Sequence, residues 1–422
     1  MTKPPISVAD DTALLFHYHR LNTYSFNALA GALDATPGLE RLRIDLPRTS
    51  AELCAATAER LRNTTRAVIA LSMMTCQFEE QARLMTELRA QWGERVVLLA
   101  GGPHPSARPE EVLRAGADAV FTGEAEKTFP RVLLSLLGGG VAGPFEQGGV
   151  IRGEEPVDLD AASSISPARG MFGPIEITRG CAFACSYCQT SHLFGTRLRH
   201  RSVDRIVEQA LALRSIDRKV VRLLSPNAFS YGSPDGRRLD LAALRELLSA
   251  LRGAVGKRAK ILFAHFPSEA RPEHVTEETL ALLREYADND EIVIGAQSGS
   301  PRVLEACGRG HTVEEVLGAV ALARRRGFKV IVDFIFGLPG EEEEDRRASL
   351  RAMERIVALG ARVHPHLFAP LPQTAFAAAP PGEVDPLFAR ALEELGARGG
   401  IYGTRTPAGW GRPAKRTHRS RP

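Results

Sequence analysis

Two series of alternating strand and helix patterns constrain this 422-residue chain more than any other feature. In the first, Ala13–Tyr18, Leu42–Leu46, Ala67–Ser72, Val96–Ala100 and Ala119–Thr122 have the length and apolarity of buried strands. Between the third and fourth, Phe78, Met85, Leu88 and Trp92 recur at helix spacing, and Ser50 suits the N-cap of a helix ending near Asn63. Such alternation predicts a doubly wound, flavodoxin-like parallel sheet over residues 1–137, with ligands at the carboxyl ends of the strands. Residues 138–172 are rich in glycine and turn formers and read as a linker or lid.

The second series comprises Ile175–Thr178, Val220–Ser225, Ile261–His265, Ile292–Ala296, Val330–Phe336 and Val363–Phe368, with Ser202 capping its first helix. Six β/α units predict a partial (β/α)6 barrel over 173–383. Residues 384–422 read as an extension with one helix near Pro386–Leu395 and a basic tail.

Composition enters mainly by exclusion. A hydrophobic share of 44% and a charged share of 25% fit a globular chain and exclude wholesale disorder. Five of the Lys and Arg residues lie in the last twelve positions, and without them the net charge of +4 would be −1. No broad basic face is implied, and a nucleic-acid partner is not expected. No apolar run approaches a membrane span, and the first residues, MTKPPISVADD, hold no signal-peptide core. A reducing, cytoplasmic setting is therefore expected.

Three of six cysteines fall within eight residues, Cys181-Ala-Phe-Ala-Cys185-Ser-Tyr-Cys188, directly after the first strand of the second series. Thiolates are soft ligands suited to zinc or iron–sulfur clusters. A closed zinc site needs a fourth ligand, for which His192 is the nearest candidate, and three structural cysteines are the plainest alternative. The crowding of half the thiols into one loop favours the cluster. Cys76 and Cys307 read as small packing residues.

The C-x3-C-x2-C spacing, with Tyr187 before the last cysteine, resembles the signature of the radical S-adenosylmethionine (SAM) superfamily. That resemblance implies a 4Fe–4S cluster held by Cys181, Cys185 and Cys188, with one iron left for the amine and carboxylate of SAM. It also implies reductive cleavage of SAM to a 5′-deoxyadenosyl radical, driven by an electron donor such as a flavodoxin or ferredoxin. Gln297-Ser298-Gly299-Ser300 and Gly337-Leu338-Pro339-Gly340 resemble turns of the family that close the fourth and fifth strands. Tyr187, Asn227, Ser268, Gln297, Ser298 and Gly337 are accordingly the candidate SAM contacts. Where the family often has Gly-Gly-Glu, this chain has Ser225-Pro226-Asn227, which leaves the amine contact open.

A five-strand sheet ahead of such a barrel resembles the cobalamin-binding branch of the superfamily. Gly101-Gly102-Pro103-His104-Pro105 and Thr122-Gly123-Glu124-Ala125-Glu126 follow strands four and five, and glycine permits close backbone approach. The candidate cobalamin contacts are Ser72, Gly101, Gly102, His104, Thr122, Gly123 and Glu124. The Asp-x-His-x-x-Gly motif of many cobalamin proteins is absent, and His17 and His19 lack its spacing. Cys188-Gln189-Thr190 and Arg199-His200-Arg201-Ser202 complete the resemblance, which spans residues 10–375.

The activity this resemblance implies is cobalamin-dependent methyl transfer to an unactivated carbon of a small molecule or natural product. Rearrangement or cyclisation without methyl transfer is the alternative within the class. A tRNA methylthiotransferase would need three more front cysteines, and only Cys54 and Cys76 occur there.

Overall fold

The computed structural model describes residues 12–137, 149–153, 155–383 and 386–403. The chain divides into two compact units, residues 1–176 with 199–218, and residues 177–198 with 219–422.

The first unit is built on β1 (Thr12–Phe16), α1 (Thr23–Asp34), β2 (Ile44–Asp45), α2 (Ser50–Arg60), β3 (Arg66–Ser72), α3 (Phe78–Trp92) and β4 (Val96–Gly101). It continues with α4 (Pro103–Ala107), α5 (Pro109–Arg114), β5 (Ala119–Thr122), α6 (Thr128–Leu137) and β6 (Val150–Arg152). The sheet is wholly parallel in the order β2-β1-β3-β4-β5-β6, the doubly wound order expected. Alternation explains the near-continuous apolar strands, because both faces are covered. Leu14, Phe16, Val68 and Phe121 pack with Phe26, Leu33, Phe129 and Leu133 on one face. Leu15, Ile69, Leu71 and Leu98 pack with Leu53, Leu84, Met85 and Leu88 on the other.

Three local readings change. The segment 138–172, read as linker, contributes a sixth strand at Val150–Arg152, which pairs with β5. A three-residue strand between glycines carries no periodicity to detect. The cap of α2 is Thr49, not Ser50: its extended backbone (φ −127°, ψ 159°) lets the hydroxyl accept the Glu52 N–H. The run after β4, read as a strand-end loop, becomes helical at Pro103, where proline's missing N–H costs nothing.

β7 (Ile175–Glu176), β9 (Arg199–His200) and α8 (Val203–Ser215) also fall in the first unit. Ser202 caps α8 as expected, accepting the Arg205 N–H at 3.4 Å.

The second unit contains β8 (Thr178–Arg179), α7 (Thr190–Phe194), β10 (Val220–Leu224), α9 (Leu241–Val255), β11 (Lys260–Leu262), α10 (Glu277–Tyr286) and β12 (Glu291–Gln297). After these come α11 (Pro301–Ala306), α12 (Val313–Arg325), β13 (Lys329–Phe336), α13 (Glu343–Ala358), β14 (Arg362–Leu367) and α14 (Pro386–Ala397). Neighbours along the wall follow chain order. Ile177 N–H donates to Leu224 C=O at 2.9 Å; β10 pairs with β11, Ala270 bridges Ile294, and β12, β13 and β14 pair in sequence, these pairings all parallel. This is the wall of a partial barrel. The extension contributes one element that its pattern did not announce: Ile401 forms a parallel bridge to Val363 of β14.

Candidate active site

The cysteine loop leaves β8 and is pinned by its own backbone. Cys181 N–H donates to Gly195 C=O at 3.1 Å and Cys188 N–H to Cys185 C=O at 2.9 Å. Ser186 N–H donates to Cys307 C=O at 2.9 Å, and its hydroxyl to Ala306 C=O at 3.1 Å. All three thiols are free; Cys185 is buried, and Cys181 and Cys188 are half-buried. Tyr187 packs with Val303, Cys307, Leu338 and Phe368, and burial pushes its phenol well above the ordinary value.

Tetrahedral zinc would draw sulfur ligands to within about 3.8 Å of one another. Among the described residues, the one group of His, Cys, Asp or Glu with all ligand atoms within 4.8 Å is Asp333, His364 and His366. Cys181, Cys185, Cys188 and His192 form no such group. Three free thiols on one pinned loop therefore fit a larger, three-cysteine cluster better than a closed zinc site.

Behind the loop lies a residue that sequence reasoning missed. Arg309 sends Nη1 to within 3.6 Å of Cys185 Sγ, donates from Nη2 to Gly295 C=O at 2.7 Å and from Nε to His311 Nε2 at 3.2 Å. Burial, then Arg309 and Arg271, push His311 down to about 3, so it remains a neutral acceptor. A buried cation beside the thiolates offsets part of their charge. The only sequence signal was an arginine and a histidine flanking Gly310 between two helices.

The candidate SAM residues divide into two groups. Asn227 and Ser268 knit the loops after β10 and β11 together. Asn227 accepts Arg271 N–H at 3.2 Å and shares a 2.8 Å bond with His274; Ser268 accepts Ser225 N–H at 3.0 Å and donates to Leu223 C=O at 2.9 Å. These polar atoms are already engaged within the protein. Gln297 and Ser298 lie at the carboxyl end of β12. Gln297 has a left-handed backbone (φ +72°) and reaches Glu269 at 3.4 Å, while Ser298 meets Ser349 at 3.3 Å. Gly337 must be glycine, because its φ is +70° and a Cβ would fall 2.5 Å from Gly382 Cα.

The QSGS turn is braced by α13. Gly299 N–H donates to Ser349 Oγ at 3.0 Å, and Ser300 Oγ donates to Asp345 at 2.6 Å. Asp345 also takes Glu342 N–H at 2.9 Å and pairs with Arg302. These donors hold its carboxyl at about 2, although its partial burial works the other way.

Glu269 and Asp333 form a second feature that sequence reasoning missed. Burial first, then the neighbouring Asp333 carboxyl, raise Glu269 well above the ordinary range. Burial opposes ionisation of Asp333 too, but His364 and His366 hold it below the ordinary value. The signals were an aspartate inside the apolar run KVIVDFIF and a His-Pro-His alternation in the next strand.

In the first unit, the carboxyl edge of the sheet collects buried polar atoms that make no hydrogen bond among the described residues, although Glu111 stands 3.8 Å from His104 Nε2. His17 Nε2, Asn22 Oδ1, Ser72 Oγ and His104 Nε2 are buried and lack a hydrogen bond among the described residues. Asn22 Nδ2 donates to Ser72 C=O at 2.7 Å, and His17 Nδ1 meets Gln81 at 3.2 Å. Gly102 has φ +100°, and a Cβ there would lie 2.8 Å from Ser72 Oγ. Native interiors rarely leave such atoms unmatched, so this edge fits a polar, tightly approaching ligand. Ser72, Gly101, Gly102 and His104 meet at this edge. Glu124 is occupied elsewhere: it pairs with Arg199 and accepts Val157 N–H at 3.0 Å. Gly123 N–H donates to Ser106 Oγ at 2.9 Å, and Thr122 C=O accepts Gly153 N–H at 3.1 Å.

Fold and site define a class: a protein with a three-cysteine cluster loop on a partial barrel and a ligand-binding flavodoxin-like sheet. Residues 175–353 match the family model of the radical SAM superfamily, and residues 18–133 match the B12 binding domain. Residues 175–353 thus form a radical SAM domain and residues 18–133 an N-terminal B12-binding domain, and the cofactors these domains indicate are a 4Fe–4S cluster, SAM and cobalamin.

An uncharacterized protein of Methanopyrus kandleri is 27% identical over 368 residues, 74% of this chain and 68% of its own length. An uncharacterized methyltransferase of Pyrococcus horikoshii is 27% identical over 284 residues, 62% of this chain and 59% of its own. The tRNA-2-methylthio-N(6)-dimethylallyladenosine synthase of Moorella thermoacetica is 34% identical over 193 residues, 45% of this chain and 41% of its own. The chain thus spans only part of each. Among solved structures, the cobalamin-dependent SAM radical enzyme OxsB has a TM-score of 0.62 at 17% identity, covering 82% of this chain and 52% of that one. The radical SAM methyltransferase TsrM from Kitasatospora setae has a TM-score of 0.62 at 18% identity, covering 87% and 75%. At these identities the likeness shows the fold. No helix among the described residues is long and apolar enough to cross a membrane.

Proposed function

We propose that this chain is a cobalamin-dependent radical SAM methyltransferase acting on an unactivated carbon of a small molecule or natural product. The observation that carries this reading is the pairing, on one chain, of the three-cysteine loop with a sheet edge whose buried polar atoms make no hydrogen bond among the described residues. When bound, the cofactors supply one-electron cleavage of SAM to a 5′-deoxyadenosyl radical and a transferable methyl group. The electron comes from a donor of the flavodoxin or ferredoxin kind.

The chain's residues do the rest. Cys181, Cys185 and Cys188 would hold the cluster, and Arg309 would offset thiolate charge at Cys185. Tyr187, Gln297, Ser298 and Gly337 form the SAM wall; Asn227 and Ser268 shape it from behind. Glu269 holds a proton inside the barrel near neutral pH. Ser72, Gly101, Gly102 and His104 receive the corrin's edge, with Thr122, Gly123 and Glu124 flanking that loop cluster. Residues 1–137 and 173–383 are the two working domains, with 138–172 between them and 384–422 as an extension.

Anaerobic reconstitution followed by product mass analysis with candidate metabolites tests the reading. A product heavier by one methyl supports it, and 5′-deoxyadenosine with an isomerised or cyclised product assigns the rearrangement reading instead. The match to methylthiotransferases favours methylthio transfer as a second reading, but the front region holds only Cys54 and Cys76 for a further cluster.

A further inference from the structure

Asp333 stands in the middle of β13, the central strand of β12-β13-β14, and is only 2% exposed. Its partner across the ladder is His364, and His366 follows on the same face of β14. His364 Nδ1 lies 2.9 Å from Asp333 Oδ1, and His366 Nε2 lies 3.6 Å from the same oxygen. A hydrogen bond accounts for the first imidazole. It does not account for the second, whose nitrogen is beyond hydrogen-bond length yet converges on the same atom.

Burying a carboxylate is costly unless a positive charge or several donors compensate. Among the described residues, the ion-pair partners of Asp333 are these two imidazoles, which carry no charge when neutral, and the neighbouring Glu269 carboxyl brings at most one donor and no positive charge. The three ligand atoms lie within 4.8 Å of one another, a spacing that bonds of about 2.0–2.2 Å to one ion would close. The rings are also oriented: Phe266 and Tyr402 each pack 5.3 Å from His364, and the two imidazoles stand edge to face at 4.2 Å. Such outer contacts set ring orientation at metal sites.

We propose that Asp333, His364 and His366 bind one divalent first-row cation through a carboxylate oxygen and two imidazole nitrogens. The donor set suits Zn²⁺, Fe²⁺, Mn²⁺ or Co²⁺ and contains no thiol, so it is separate from the cluster loop. Three protein ligands leave positions open for water or for a hydroxyl or carboxylate oxygen of a substrate. The site lies on the same barrel wall as the Arg309 contact, because Gly295, whose carbonyl Arg309 holds, pairs with Asp333 across the ladder. The assignment stands whether or not the reaction is methyl transfer.

The test is equilibrium dialysis of the cluster- and cobalamin-loaded protein against Zn²⁺ and, separately, Mn²⁺. Bound metal and retained iron are measured together, and free Mn²⁺ is followed by electron paramagnetic resonance. One equivalent of at least one of the two ions at constant iron is expected. Binding at least about tenfold weaker is expected in His366→Asn and Asp333→Asn. Cys76, read from the sequence as a packing residue, is exposed in the structure, and Cys76→Ser is expected to bind as the parent does. If Asp333→Asn does not fold, His366→Asn and His366→Gln decide, since that ring is half-buried. Absence of stoichiometric binding of both ions, or unchanged binding in folded His366 variants, overturns the proposal.

Discussion

The Arg309 guanidinium sits 3.6 Å from the Cys185 sulfur, inside the barrel, and among the described residues no acidic side chain is hydrogen-bonded to it. A cation beside a cluster ligand favours the reduced, more negative state. Arg309→Met is expected to keep three-cysteine ligation and lower the cluster's midpoint potential by tens of millivolts. Potentiometric titration followed by electron paramagnetic resonance reads this directly; an unchanged potential would leave Arg309 a packing residue only.

Removing a cluster thiol has a sharper outcome. Cys185→Ala is expected to lose most of the bound iron and all reductive formation of 5′-deoxyadenosine, with corrin binding retained. Iron analysis and chromatographic detection of the nucleoside check it. Retained SAM cleavage in that variant would sink the cluster assignment.

Cys307 is buried with Val303, Leu338 and Phe368, and burial, then Cys185, push its thiol up to about 12. A thiol in such surroundings packs and does not ionise. Cys307→Ala is expected to cost about 1 kcal/mol in stability. SAM cleavage and product formation should stay within about twofold of the parent, as befits a mutation that only alters packing. If cleavage persisted while product disappeared, the thiol would be a radical partner instead.

Asp345 supplies the pH dependence. Its carboxyl falls from an ordinary 3.8 to about 2 in the folded chain, so its contribution is fully present above pH about 4 and vanishes as pH drops through 2. Asp345→Asn is expected to cost about 1–3 kcal/mol near neutral pH, by weakening bonds from Ser300, Glu342 N–H and Arg302. The gap in melting temperature between parent and variant should shrink between pH 4 and pH 2. A gap that persists at pH 2 would place the effect elsewhere.

At the front sheet, Gly102→Val introduces a Cβ 2.8 Å from Ser72 Oγ at φ +100°. Strain of about 1–3 kcal/mol is expected, together with loss of corrin through desalting at unchanged iron content. Melting curves of the corrin-free protein separate the two effects. Corrin retained at parental levels would remove Gly102 from the binding edge.

Legibility in the sequence followed the range of the interactions involved. Strands covered on both faces, such as Arg66–Ser72 and Glu291–Gln297, show as apolar runs because their burial is local to the strand. Val150–Arg152 and Ile401 were hidden because their strand character comes wholly from a partner already in place. The three cysteines could be read because their ligands are close in sequence. Arg309, Glu269 and the two histidines of β14 come together only when β12, β13 and β14 align. Asp333, an ionisable group within the apolar core of its strand, and the His-Pro-His alternation of the next strand were the visible marks of that convergence.

The Ile401 bridge carries a consequence for solubility. β14 ends the wall, and its open side is a row of backbone donors and acceptors that another chain's strand could extend. Gly400 and Tyr402 take part of that row, through 2.8 Å bonds to both sides of Val363. The segment after α14 therefore works as a guard against edge-to-edge association. A chain cut before Gly400 would keep its catalytic residues and become prone to self-association.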